Sequence, residues 1–335
     1  MKPVYFAKPN VPYQERLQQE LQPLIKPGQR VAIKLHMGEP GNSHALAPDF
    51  TRQIVQVVQA LGGQPFLFDS PVAYPGPRST AASYVQAVAQ HGYSPKAMGC
   101  PIVVSDDAVT VRVSEVDFDF GVCKTLVEAD FVLVLSHVKG HICSGFGGAI
   151  KNLGMGAMNK ATKSAIHKGG KPVVVGECSL CGACVQACPL DNVRLDETEQ
   201  RPHFDRTWCC GCSDCVYACP NQTLKCEAAL FDRLLAAAAK AALSRFKGYY
   251  FVNVVRNIAK ECDCLSTTTP LIAKDVGLLW SQDIVAVEQA SLDLVQQQEG
   301  HNVFLDANKK SPQLHISEAE KLGMGATGYQ LVALG

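Results

Sequence analysis

The sequence predicts an α/β protein built on an open, mainly parallel sheet with helices on both faces, interrupted by a small cysteine-rich α+β insertion. Three observations carry this expectation. Over the first 175 residues, short β-rich runs alternate with helical patterns, the arrangement that yields a parallel sheet. Several of the runs are continuously apolar, as strands covered on both faces are. Between residues 177 and 226 the pattern gives way to closely spaced cysteines and tight turns, after which it returns.

Taken in order, VAIKLHM (31–37), PFLFDS (65–70), PIVVS (101–105), DFVLVLSHV (130–138) and KPVVVG (171–176) read as strands. APDFTRQIVQVVQALGG (47–63) sets its apolar residues at helical spacing and ends in glycine, a helix stop signal. STAASYVQAVAQHG (79–92) does the same, and AVTVRV (108–113) reads as part of a local hairpin. Beyond the insertion, AALFDRLLAAAAKAALSRF (228–246) is rich in the strong helix formers Ala and Leu. YYFVNVVRNI (249–258) reads as a strand and SQDIVAVEQASLDLVQQQ (281–298) as a helix. The expected organisation is one α/β domain in two parts, 1–176 and 227–335, around an insertion at 177–226.

A content of 47% hydrophobic and 19% charged residues is that of an ordinary globular protein. Thirty-one basic residues equal thirty-one acidic ones, which gives none of the basic footprint of a nucleic-acid binder. No apolar run reaches the ~18 residues of a membrane span. The first residues, MKPVYFAKPN, lack the apolar stretch of a signal peptide, so a cytoplasmic location is expected. In that reducing compartment the fifteen cysteines point to metal binding or thiol chemistry more than to disulfides.

CSLCGACVQACP (178–189) spells Cys-x2-Cys-x2-Cys-x3-Cys-Pro, and Cys209, Cys212, Cys215, Cys219 and Pro220 repeat it. This is the bacterial ferredoxin-like run, in which three cysteines hold one [4Fe–4S] cluster and the fourth reaches the other. One cluster is therefore expected on Cys178, Cys181, Cys184 and Cys219, and the second on Cys209, Cys212, Cys215 and Cys188. Gly182 and Gly211 would let the backbone approach inorganic sulfide. Disulfides fit neither the compartment nor the spacing. Paired zinc sites leave the third cysteine and the Cys-Pro ending unexplained. Cys100, Cys210 and Cys226 read as small packed side chains.

A second constellation follows the most apolar strand. SHVKGHICSGFGGAIKNLGMG (136–156) carries His137, Lys139, His141, Cys143 and Lys151 among six glycines, and no Walker spacing occurs in it. Ligands of open α/β sheets bind beyond the carboxyl ends of strands, and this segment leaves such an end. KLHMGEPGN (34–42) repeats the theme with Lys34, His36 and Glu39.

These motifs, together with CDC (262–264), KDVGLLWSQDIVAVEQASLDLV (274–295) and the closing AEKLGMGATGYQLVAL (319–334), make the chain resemble the DUF362 family over nearly its whole length. That resemblance implies an α/β iron–sulfur protein in an anaerobic or redox setting, and it names no reaction.

Cys262 and Cys264 follow another strand. In extended chain, residues i and i+2 point the same way, so both thiols would face one side with Asp263 opposed. With Cys143, Cys123 and a nearby His137 or His141 they would make a third metal or iron–sulfur site, since thiolate and imidazole suit thiophilic metals. The leading expectation is an iron–sulfur oxidoreductase. Its two clusters, fed by a redox partner protein, pass electrons to a catalytic site of His137, Lys139, His141, Cys143 and Lys151, where the lysines bind an anionic small molecule. Asp275 and Asp283 are further polar candidates, although turns and helix caps also account for them. The rival expectations are a non-catalytic electron carrier and a protein that hands metal or clusters onward.

Overall fold

The computed structural model describes residues 1–335. Eight strands form the central sheet: β1 (Lys2–Ala7), β2 (Arg30–Lys34), β3 (Gln64–Asp69), β4 (Ile102–Val104), β5 (Phe131–His137), β6 (Tyr249–Val255), β7 (Gly277–Ser281) and β8 (Tyr329–Ala333). Their spatial order is β8-β1-β7-β6-β5-β2-β3-β4. Only β7 runs against its neighbours, so the expected open, mainly parallel sheet is what forms. Strands from before and after the cysteine-rich segment share it, with β5 and β6 paired from Val132↔Tyr249 to His137↔Val254.

Alternation along each strand explains why both faces are covered. Val31, Ile33, Leu133, Leu135, Val252 and Trp280 point into one core. Ala32, Val132, Val134, Phe251 and Leu279 point into the other. Helix Pro48–Ala60 supplies Ile54, Val55 and Val58 to the first core. Helices Phe231–Leu243 and Ile284–Glu299 supply the second. A run of buried alanines (Ala236–Ala239, Ala241 and Ala242) lets the first of these approach helix Ala149–Gly156 closely. At Gly154 an added Cβ would meet the Leu235 carbonyl oxygen at 2.5 Å.

Several expectations need correction. KPVVVG does contain a strand (Pro172–Val174), but it lies outside the central sheet and pairs antiparallel with Leu224–Cys226. A short apolar run does not itself say which partner it will find. β1, β7 and β8 had no place in the sequence reading, because each is short and bounded by Gly, Pro or the chain end. AVTVRV pairs with Phe118–Cys123 as a hairpin, and Val193–Asp196 pairs with Arg201–Phe204.

Asp275 and Asp283 are structural. Asp275 accepts from the Asn257 amide (2.8 Å). Asp283 caps helix Ile284–Glu299 by accepting from the Val285 and Ala286 amides at 2.9 and 3.0 Å. Replacing Asp283 with alanine leaves those amides without their acceptor and is expected to cost about 0.5–2 kcal/mol. Urea unfolding checks this through a lower midpoint at unchanged slope.

Candidate functional site

In chain order the parallel strands run outward from β2 to β3 and β4, then return to the other side of β2 with β5 and β6. The carboxyl ends of β2 and β5 therefore diverge, which is where open α/β sheets bind ligands. Asn152 straddles this point. Its Nδ2 donates to the Leu135 carbonyl (3.0 Å) and to Ser136 Oγ (2.9 Å), while its Oδ1 accepts from Lys34 Nζ (2.6 Å). Lys34 is fully buried at the end of β2 and forms an ion pair with Asp69 at the end of β3 (3.1 Å).

A polar cavity beside this point is lined by Lys34, His36, His137, Lys139, Lys151 and Cys262, among others. Asp263 forms an ion pair with Lys139 (3.0 Å) and contacts His137 Nδ1 (2.9 Å). The other His137 nitrogen, Nε2, lies 2.7 Å from the Arg256 carbonyl oxygen. Burial opposes charge on Asp263, yet His137 and Lys139 hold its carboxyl well below the ordinary range. At Gly140 an added Cβ would meet the Lys260 carbonyl at 2.0 Å, so only glycine lets the strand-end segment lie against the loop that carries both thiols.

Cys262 and Cys264 sit in that loop, with a turn at residues 263–264. Lys151 Nζ donates to Cys262 Sγ (3.2 Å), and the Cys264 amide donates to the same sulfur (3.3 Å). The neighbouring Cys264 thiol, with Lys151 and His141, holds the Cys262 thiol well below its ordinary value against the effect of burial. Cys264, buried beside the Cys262 sulfur, is pushed well above its ordinary value. His141 Nδ1 accepts from the Cys143 amide (3.2 Å), which leaves the ring hydrogen on Nε2. Burial and Lys151 lower His141 to about 4, so at neutral pH it is an uncharged neighbour of the thiol.

Of the other expected thiols, Cys143 shares a cavity wall with Cys264 and Cys123 does not. Cys123 is buried near Lys163, Ser70 and Lys34, and burial pushes it up to about 12. Cys143 contacts Cys210, the residue read as a small packed side chain. No group of three or more His, Cys, Asp or Glu side chains is placed to hold a single metal ion.

A larger cavity of about 500 Å³ opens next to the polar one. Its wall carries Cys264, Lys151, Cys143, Lys163 and His167, and from the cysteine-rich segment Cys209 and Cys210. The eight cysteines of the two repeated runs, with Cys210, ring two small cavities. Cys178, Cys181, Cys184 and Cys219 line one; Cys188, Cys209, Cys212 and Cys215 line the other. The two runs fold alike: left-handed residues flank the second cysteine of each (Leu180 and Gly182; Gly211 and Ser213), and a one-turn helix follows.

Sequence reading missed Arg78, Asp69 and Lys163. Arg78 is fully buried, paired with Glu39 and 2.8 Å from His36 Nε2. Lys163, lowered by burial to about 8, donates to Ser70 Oγ (2.7 Å) and the Pro71 carbonyl (2.6 Å). None of these stands in a motif; each arrives from a separate helix, strand or loop.

A family model described as "Domain of unknown function (DUF362)" matches residues 31–293. The chain belongs to the DUF362 family. The match spans every strand end and both thiols of this site. A thylakoid-associated protein of Synechocystis sp. is 30% identical to this DUF362 chain over 134 residues, 38% of the chain and 39% of that relative. The chain thus covers well under half the length of that relative. Among solved structures, a Thermotoga maritima protein is similar with a TM-score of 0.43 at 9% identity, over 92% of this chain and 58% of that one. Lactate racemase apoprotein from Thermoanaerobacterium thermosaccharolyticum has a TM-score of 0.36 at 13% identity, over 76% of this chain and 51% of that one. No helix of the DUF362 protein is long and apolar enough to cross a membrane.

The Lys34–Asp69 pair generates a prediction. Burial works against the Asp69 carboxylate, but Lys34, His36, Lys163 and the Tyr84 hydroxyl hold it at about 2, below the ordinary 3.8. Its stabilisation is therefore fully present above pH ~4 and is lost as pH falls towards 2, because the unfolded chain takes up that proton first. Asp69→Asn strands Lys34 and is expected to cost about 3–5 kcal/mol at neutral pH. Denaturation of both proteins across pH 2–7 checks it: the difference between them should shrink below pH ~4.

Proposed function

We propose that this DUF362 protein is an iron–sulfur oxidoreductase, with Cys178, Cys181, Cys184 and Cys219 holding one [4Fe–4S] cluster and Cys188, Cys209, Cys212 and Cys215 the other. The observation that carries the reading is the shared wall of the larger cavity, which Cys209 and Cys210 line together with Cys264 and Lys151. A one-electron centre at the second cysteine set would lie against a pocket built for chemistry. The two small cavities fit the assignment, since each is lined by its four expected ligands, three from one run and one from the other, with Cys210 as a fifth thiol at the second. A cubane spreads its ligands around four corners, so thiols that surround a space suit it better than thiols converging on a point. When bound, such clusters store and pass single electrons.

The chain's own residues supply the rest. Lys151, Lys163, Lys168 and Lys171 on the wall of the larger cavity favour an anionic small molecule there, while Lys34 and Lys139 in the polar cavity are matched by Asp69 and Asp263. Asp263, His137 and Asn152 fix the positions of Lys34 and Lys139. Cys262 and Cys264 provide thiols at the junction of the two cavities. The two thiols alone do not fit a third metal centre, because Cys123 and Cys143 are engaged elsewhere, and no metal step is assigned there.

Anaerobically purified protein should hold about eight irons and eight sulfides per chain. Stoichiometric zinc without sulfide would sink the assignment. Cys188→Ser should perturb the cluster of Cys209, Cys212 and Cys215 while sparing the one next to it in sequence. Electron paramagnetic resonance of the reduced variant reads out which signal changes. Clusters that oxidise freely with any protein partner and with no small molecule would favour a simple electron carrier.

A further inference from the structure

We propose that Cys262 and Cys264 are a redox-active dithiol that reduces an anionic disulfide entering from the larger cavity. The inference names a substrate class for the site above and rests on that reading for its electron supply.

The geometry separates this pair from the other thiols of the chain. It stands where the two cavities meet, with Cys264 on the wall of the larger one and Cys262 on the wall of the lysine-rich one. Cys262 is 4% exposed, while Cys264 is partly open. Cys262 Sγ receives hydrogen bonds from Lys151 Nζ and the Cys264 amide, the surroundings that favour a thiolate. The loop is pinned around it: the Asp263 carbonyl accepts from the Glu39 amide (3.1 Å), and the Cys264 carbonyl from the Tyr74 hydroxyl (3.2 Å). No group of three ligating side chains converges on a metal position there, whereas two thiols beside a lysine are a sufficient set for thiol–disulfide exchange. Lys151, Lys163, Lys168 and Lys171 on the cavity wall select a negatively charged partner.

The pair begins as a Cys262 thiolate beside a Cys264 thiol. The Cys262 thiolate takes the Cys264 proton as Cys264 Sγ attacks one sulfur of the substrate RSSR, forming Cys264–S–S–R and expelling RS⁻. Cys262 gives its proton to that RS⁻ and attacks Cys264 Sγ, expelling the second RS⁻ and closing the Cys262–Cys264 disulfide. The substrate has gained two electrons and the pair has lost two. Two electrons from a one-electron donor of the iron–sulfur class, with one proton, restore the starting pair.

The test uses anaerobic, reduced holoprotein freed of reductant and exposed to glutathione disulfide, with cationic cystamine as the comparison. The expected result is loss of two hydrogens per chain, mapped by peptide mass to residues 262–264, with the iron content unchanged. Cys262→Ser should instead accumulate a glutathione adduct on Cys264. Lys151→Gln should slow oxidation about tenfold and move its pH profile upward, a shift that a purely structural lysine would not produce. Glutathione disulfide should outpace cystamine. Inert thiols in protein with full clusters, or a stoichiometric metal ion on the pair, would overturn the dithiol and leave the iron–sulfur reading standing. Normal oxidation of the pair in protein that carries no iron or sulfide would do the reverse.

Discussion

A carboxylate that is 1% exposed, Asp263, governs the arrangement of this site. An isolated buried charge is costly enough that it must be paired, and its partners, Lys139 and His137, come from the end of the neighbouring strand. The loop after β6 is thereby tied to the segment after β5. With Asp263 so anchored, its two neighbours, Cys262 and Cys264, line the two cavities beside Lys151. Breaking a buried pair by removing one partner commonly costs about 3–5 kcal/mol. Here the loss would also release the thiols from their lysine. Stability and site geometry rest on the same contact.

The same rule extends along the strand ends. Lys34 is matched by Asp69, Lys139 by Asp263, and Lys151 by the anionic sulfur of Cys262. Backbone groups and hydroxyls complete the set, as where Lys163 is held by Ser70 and Pro71. Glycine makes this density of charge sterically feasible. At Gly156 an added Cβ would stand 2.3 Å from Lys34 Nζ, so any side chain there would displace the lysine from Asp69. The glycines of SHVKGHICSGFGGAIKNLGMG are accounted for by such close approaches. A phosphate-cradling loop is not needed to explain them.

Much of the fold was legible because its signals are local. Continuous apolar runs such as DFVLVLSHV mark strands covered on both faces, and the Ala-rich stretch before Arg245 can hardly be anything but a helix. One side of the sheet was not legible: β8, β1 and β7 lie together there and β1 finds both its partners far away in sequence. The site divides in the same way. His137, Lys139, His141 and Lys151 lie in one motif and were found together, and Cys262 and Cys264 do meet. Arg78, Asp69 and Lys163 were missed because tertiary contact alone unites them. Cys123 and Cys143 show the converse error: proximity to strand ends in sequence did not bring them to Cys262, since one turns towards Lys163 and the other towards Cys210.

The charge balance at Lys151 links the proposed chemistry to ligand affinity. While the pair carries its negative charge, the lysine is matched, and despite burial its ammonium is held above its ordinary range chiefly by Cys262. Closing the disulfide removes that charge and leaves a half-buried ammonium without its sulfur partner. An oxidised site is then less stable than the same site reduced, which pulls the pair towards accepting electrons. The same vacancy of negative charge attracts anions, so a product bearing carboxylates would be held until the returning electrons restore the thiolate. Reduction of the pair and release of an anionic product would thus be coupled through a single side chain, without movement of the sheet or of the helices around it.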